Sequence, residues 1–206
     1  MSAEALWGVV TRLGESGIVL PLVLVVAIGL GWSARRASRA LPLLAPITLG
    51  AILVTATKIA FMGFGWGIAS IDFTGMSGHA MLAAAIYPAL VAVLVPQTRP
   101  HRALAMAAAA AVVGLVAVSR VALATHSTSE VLSGCAVGAL AAAVTIRSIN
   151  RAGGVRLSPA WLAPALAWML LTFPAPPVIA SHEWITGLAM TLSGRDRPYV
   201  RADLHR

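Results

Sequence analysis

Six apolar runs constrain this chain more than anything else in it: residues 16–34, 40–57, 80–97, 103–118, 126–146 and 157–180. The first holds no charged residue. As a helix rising about 1.5 Å per residue, it crosses the roughly 30 Å hydrocarbon core of a bilayer. Lipid offers the backbone no hydrogen-bond partners, so a spanning segment is a helix or part of a closed barrel. Continuous runs of this length read as helices, which predicts an all-α, polytopic membrane bundle of about six transmembrane helices. Composition agrees: 59% of the residues are hydrophobic and 11% charged, with mean hydropathy +0.86. That balance excludes an ordinary soluble domain.

A chain of 206 residues is read as one membrane-embedded domain, 1–206. Within residues 1–15, Leu6, Val9, Val10 and Leu13 share one helical face, which suggests an interfacial helix rather than a cleaved signal peptide. Residues 181–206 read as a polar tail. The net charge of +8 does not point to nucleic acid, because the arginines fall in short clusters between apolar runs. The loops after the first, third and fifth runs hold Arg35, Arg36 and Arg39, then Arg99 and Arg102, then Arg147, Arg151 and Arg156. The positive-inside rule assigns those loops to the cytoplasm and the alternate loops, with the tail, to the outer face. The single cysteine, Cys135, lies in an apolar run and reads as a packing residue. No Cys/His cluster suggests a metal site, and no cofactor is expected.

Three polar segments interrupt this pattern, all on the predicted outer face: Lys58, then Gly75-Met76-Ser77-Gly78-His79, then Ser119-Arg120 with His126 and Glu130. Burying unpaired polar groups beside apolar spans is costly, so their presence calls for a function. The i, i+4 spacing lets Glu130 hold one imidazole nitrogen of His126 as a donor and leave the other as a nucleophile. Ser77-Gly78-His79 opens an apolar run, where glycine and free helix-start amides suit an anion. Lys58, the only lysine in the chain, and Arg120 add fixed positive charge. Nucleophile, acid and surrounding donors are what phosphoryl transfer needs.

These residues resemble the type 2 phosphatidic acid phosphatase superfamily, whose motifs read K-x6-R-P, P-S-G-H and S-R-x5-H-x3-D. The third stands here as Ser119-Arg120-x5-His126-x3-Glu130 and the second as Met76-Ser77-Gly78-His79. The first keeps Lys58, but Gly65 and Trp66 replace its Arg-Pro. The family more often places three spans before its first motif; the chain has two.

The resemblance implies a metal-independent lipid phosphatase. In it His126 forms a phosphohistidine, Glu130 orients it, and His79 protonates the leaving oxygen. Lys58, Ser77, the Gly78 amide, Ser119 and Arg120 hold the phosphate. Arg195 or Arg197 of the tail is expected to replace the missing arginine, and Arg197-Pro198 reproduces the lost dipeptide. The implied setting is the plasma (inner) membrane of a bacterium, with the site facing the periplasm and undecaprenyl diphosphate as the first-choice substrate. Phosphotransfer to another lipid, or lipid-phosphate binding without turnover, are the alternatives. Asp72 reads as a turn or cap residue; His101, His182 and His205 read as solvated. Trp7, Trp32, Trp66, Trp161 and Trp184 read as interface anchors.

Overall fold

The computed structural model of the protein describes residues 2–95, 98–151, 157, 159–177 and 180–205. Among these residues eight α-helices follow one another: α1 Ala3–Thr11, α2 Ser16–Ser33, α3 Leu41–Phe64, α4 Gly78–Leu94, α5 Arg102–Ala122, α6 Thr128–Arg151, α7 Leu162–Thr172 and α8 Ser181–Ser193. A lone antiparallel bridge, Ile68 to Phe73, is the extended pairing among the described residues. The all-α expectation holds.

Among the described residues, four stretches are long and apolar enough to cross a membrane: Ala3–Ser33, Ala37–Phe64, Arg102–Ala122 and Thr128–Arg151; the shorter α4 is also apolar. The first joins α1 to α2, so residues 3–11 extend an apolar stretch beyond the run expected from residue 16. The expected third run ends at Leu94; its last residue, Gln97, lies outside the described residues, as does Arg156.

The expected sixth span, 157–180, is not one helix. α7 covers eleven residues, about 16 Å at the α-helical rise, which is too short to cross alone. Pro174, Pro176 and Pro177 follow it, and proline removes donors while clashing with the preceding turn. The segment expected as a polar tail contains α8, which packs on α3.

α4 is the hub, because it is built from small residues. Ala80, Ala83, Ala84, Ala85, Ala89 and Ala92 are buried along it, and α5 and α6 lie against it. The crossing with α6 is close. A Cβ on Gly134 would sit 2.5 Å from the Ser77 carbonyl oxygen, and one on Gly138 would sit 2.3 Å from that of Met81. This is small-xxx-small packing, in which glycine lets backbones touch where hydrophobicity cannot drive helices together. Gly138→Val should therefore destabilise the bundle by about 1–3 kcal/mol through overpacking, read as a lowered melting temperature in detergent; an unchanged melt would show that the crossing can spread.

Leu24, Ile28, Leu49, Ile52, Leu104, Leu132 and Leu140 are exposed on the outside of the helices, as lipid-facing residues are. Trp32, Trp66 and Trp184 are each more than 70% exposed, consistent with interface positions. α3 ends, α4 begins, α5 ends and α6 begins at the same end of the bundle: Gly75 lies against Lys58, the Ser77 amide donates to the Glu130 carbonyl, and Lys58, Gly78, Arg120 and His126 line one cavity. All three polar segments thus gather at one end, and the described arginines Arg35, Arg36, Arg39, Arg99, Arg102, Arg147 and Arg151 fall at or after the opposite ends of α2, α4 and α6.

Candidate active site

Local chemistry fixes each functional side chain at that end. α3 stops at Gly65, which adopts φ 73°. The Gly65 amide donates to the Phe61 carbonyl and the Trp66 amide to that of Ala60, a left-handed helix stop that glycine favours. Lys58 sits two turns before that stop. Ser77 caps α4, its hydroxyl accepting from the Ala80 amide, and the Ser77 amide donates to the Glu130 carbonyl at 2.9 Å. The start of α4 is thereby tied to the start of α6.

His126 lies just before α6 rather than inside it. The Glu130 amide donates to the Ser127 hydroxyl at 3.4 Å, and the Glu130 carboxylate accepts from the Ser127 amide at 3.1 Å. That reciprocal pair is a capping box, which uses glutamate three residues after the serine. It supplies a physical reason for glutamate where the similar motif has aspartate: the longer arm folds back to the helix start and still meets the imidazole.

The Glu130 carboxylate is wholly buried and fully engaged. Oε1 accepts from the Thr74 amide at 2.6 Å and from the Thr74 hydroxyl. Oε2 accepts from His126 Nδ1 at 2.7 Å and from Arg201 Nη2 at 2.7 Å, besides the Ser127 amide. A carboxylate can only accept, so Nδ1 carries the proton and Nε2 keeps its lone pair. Burial pushes the His126 imidazole below its ordinary pKa, aided by Lys58 and Arg120 and opposed by the Glu130 hydrogen bond. The ring is thus held in its neutral, nucleophilic form.

A second histidine–carboxylate pair faces it. His79 Nε2 lies 3.0 Å from Glu15 Oε2. Arg120 donates from Nη1 to the Thr11 hydroxyl at 2.9 Å, while its buried Nε has no partner among the described residues. Glu15, Lys58, Gly78, His79, Arg120, His126 and Arg201 line one cavity of about 560 Å³.

Among the residues expected from the sequence, Lys58, Gly78, His79, Arg120 and His126 are brought together there, with Glu130 behind His126. Ser77 and Ser119 are not at the cavity wall: Ser77 caps α4, and the buried Ser119 hydroxyl donates back to the Val116 carbonyl within α5. Arg197 is 65% exposed beside Asp203, 3.8 Å away. The tail does reach the cavity, but Arg201 is the arginine that meets the carboxylate. Asp72 is a turn residue, φ 50°, and also an anchor: Arg201 donates to it, and His205 Nε2 lies 3.0 Å from its Oδ1. His205 therefore has a partner, and His182 lines the cavity. Glu15, Thr74 and Arg201 escaped the sequence reading. No spacing rule links them to the motifs; only the folded chain does.

A cavity that gathers His79 and His126 with Lys58, Arg120 and Arg201 at the end of an apolar helical bundle fits an integral membrane phosphatase. The chain belongs to the PAP2 superfamily, whose family model matches residues 14–153. It is accordingly a membrane lipid phosphatase, a hydrolase of phosphoric esters. A Klebsiella pneumoniae protein described as an uncharacterized 22.5 kDa protein in the cps region is 31% identical over 97% of this chain and 98% of its own length. Phosphatidylglycerophosphatase B of Bacillus subtilis is 30% identical over 64% of this chain and 68% of its own. The crystal structure of a transmembrane PAP2-type phosphatidylglycerolphosphate phosphatase from Bacillus subtilis shares the fold, with a TM-score of 0.58 at 23% identity over 72% of this chain and 77% of that one.

Proposed function

We propose that the protein removes the terminal phosphate of a membrane lipid phosphate or diphosphate through a phosphohistidine on His126, at the outer face of the bacterial plasma (inner) membrane. The observation that carries the reading is the His126–Glu130 pair opening on the same cavity as His79, Lys58 and Arg120. His126 Nε2 attacks phosphorus and forms the N–P bond as the P–O bond to the lipid breaks. With Nε2–H held by Glu15, His79 gives the proton on its other ring nitrogen, Nδ1, to the departing oxygen. Water then attacks the phosphohistidine, His79 takes the water's proton, and the N–P bond breaks to free inorganic phosphate. Lys58, the Gly78 amide and the Arg120 guanidinium stabilise the equatorial oxygens. Ser77 and Ser119 act by holding the starts and turns of their helices. Clustering of arginines at the opposite end supports the outward orientation.

Undecaprenyl diphosphate remains the first-choice substrate. Phosphatidylglycerol phosphate is the second reading, favoured by the name of the Bacillus subtilis relative. Purified protein in detergent, offered both lipids and phosphatidate without added metal, separates them by the rate of phosphate release. Phosphoryl transfer to an added acceptor lipid in place of release would favour the phosphotransferase. Specific binding of a lipid phosphate with no turnover would contradict the hydrolytic reading.

Glu15 enters this scheme as the carboxylate that holds a proton on His79 Nε2. Glu15→Gln keeps the size of the side chain but removes its charge. Turnover should fall about tenfold, part of the factor of 10²–10⁴ that proton transfer supplies. Unchanged turnover would leave Glu15 a helix-start residue only.

A further inference from the structure

We infer that the C-terminal segment 195–205 is a clasp that completes the catalytic centre from the far end of the chain, with Arg201 as the positioning residue that fixes the Glu130 carboxylate behind His126. This rests on the reading of His126 as nucleophile.

The segment is docked rather than draped. The Tyr199 amide donates to the Met62 carbonyl at 2.8 Å, and Tyr199 and Leu204 pack on buried Phe61, Met62 and Ala189. The Arg195 guanidinium lies 4.0 Å from the Tyr199 ring centroid. Two glycines clear the way. A Cβ on Gly65 would come within 3.1 Å of the Tyr199 ring, and one on Gly67 within 2.5 Å of Leu204. The stretch after α3, where the sequence lacks an arginine, is thus shaped to receive the tail.

What the clasp delivers is a fork. Arg201 Nη2 donates to Glu130 Oε2 at 2.7 Å, while Nη1 donates to the Asp72 carbonyl at 2.8 Å and to its carboxylate. A planar guanidinium held by two carboxylates has one orientation, which a lysine ammonium cannot reproduce. Arg201 shares Oε2 with His126 Nδ1, so it locks that oxygen in the place from which it orients the imidazole. Its charge also weakens the hold of Glu130 on a protonated His126. The other groups facing that ring are Lys58 from α3, Arg120 from α5, His79 from α4, Glu15 from the α2 start and His182 from α8.

Arg201→Ala in the full chain should lower kcat about 10- to 100-fold, as loss of an outer partner of a functional histidine does, with KM changed less than about threefold. The acidic limb of the kcat profile should move to higher pH, because removing a cation beside Glu130 favours the imidazolium. Arg201→Lys should recover only part of the rate, and added guanidinium should restore part of it to Arg201→Ala. His126→Ala, made in parallel, keeps the two readings apart. A normal rate and limb in Arg201→Ala beside an inactive His126→Ala would overturn the clasp alone. Activity in both variants would overturn the nucleophile as well. Activity lost only in proportion to folded protein, with the limb unmoved and no guanidinium rescue, would reduce Arg201 to a structural tie and overturn the inference.

Discussion

His126→Ala should lose phosphate release by about 10⁴-fold or more, the scale seen when a covalent nucleophile is removed, while its melt in detergent stays near wild type. The imidazole is mostly buried yet opens on the cavity, and its hydrogen bond is to the Glu130 carboxylate. Truncation leaves that carboxylate four remaining donors, from Thr74, Ser127 and Arg201. The carboxylate is therefore not stranded, and the loss reads as chemistry rather than unfolding. Alkaline-range activity surviving in this variant would mean that another group attacks phosphorus.

Glu130→Gln should cost about 10³- to 10⁴-fold in turnover, by analogy with neutralising the acid that orients a catalytic histidine. An amide can offer its nitrogen as well as its oxygen to His126, so the ring loses both its fixed tautomer and the charge that stabilises the imidazolium. Glu130→Ala goes further. It leaves the Thr74 and Ser127 amides without their buried acceptor and Arg201 with Asp72 alone, a cost of about 1–3 kcal/mol for each buried donor left unsatisfied. The two variants should therefore separate: Gln folded and slow, Ala slow and easily melted. Equal melting of both would show that the carboxylate's partners do not depend on it.

The centre was legible where chemistry demands fixed residue types at short spacing. His126 and Glu130 lie four residues apart, and the start of α6 brings them together whatever the rest of the fold does, while Arg120 sits one short connection away at the end of α5. The shared end of the bundle was legible from the arginines, because charge asymmetry records which loops cross. Glu15 and Arg201 were not, since each reaches its histidine pair across 64 and 71 residues of sequence, through packing that no local pattern encodes. Arg197-Pro198 imitates the missing dipeptide, but the docked Tyr199 ring sets the register so that Arg201, two residues after it, meets Glu130. The sixth span failed for a related reason. Summed hydropathy ran through Pro174–Pro177, whereas the backbone ended α7 at Thr172 and started α8 at Ser181.

The most direct measurement is rapid quenching of the purified protein with a lipid substrate carrying ³²P in its terminal phosphate. The account predicts a transient, acid-labile and base-stable label on the protein, absent from His126→Ala and discharged as inorganic phosphate. Turnover with no labelled protein at any time, or a label that persists in His126→Ala, would contradict it.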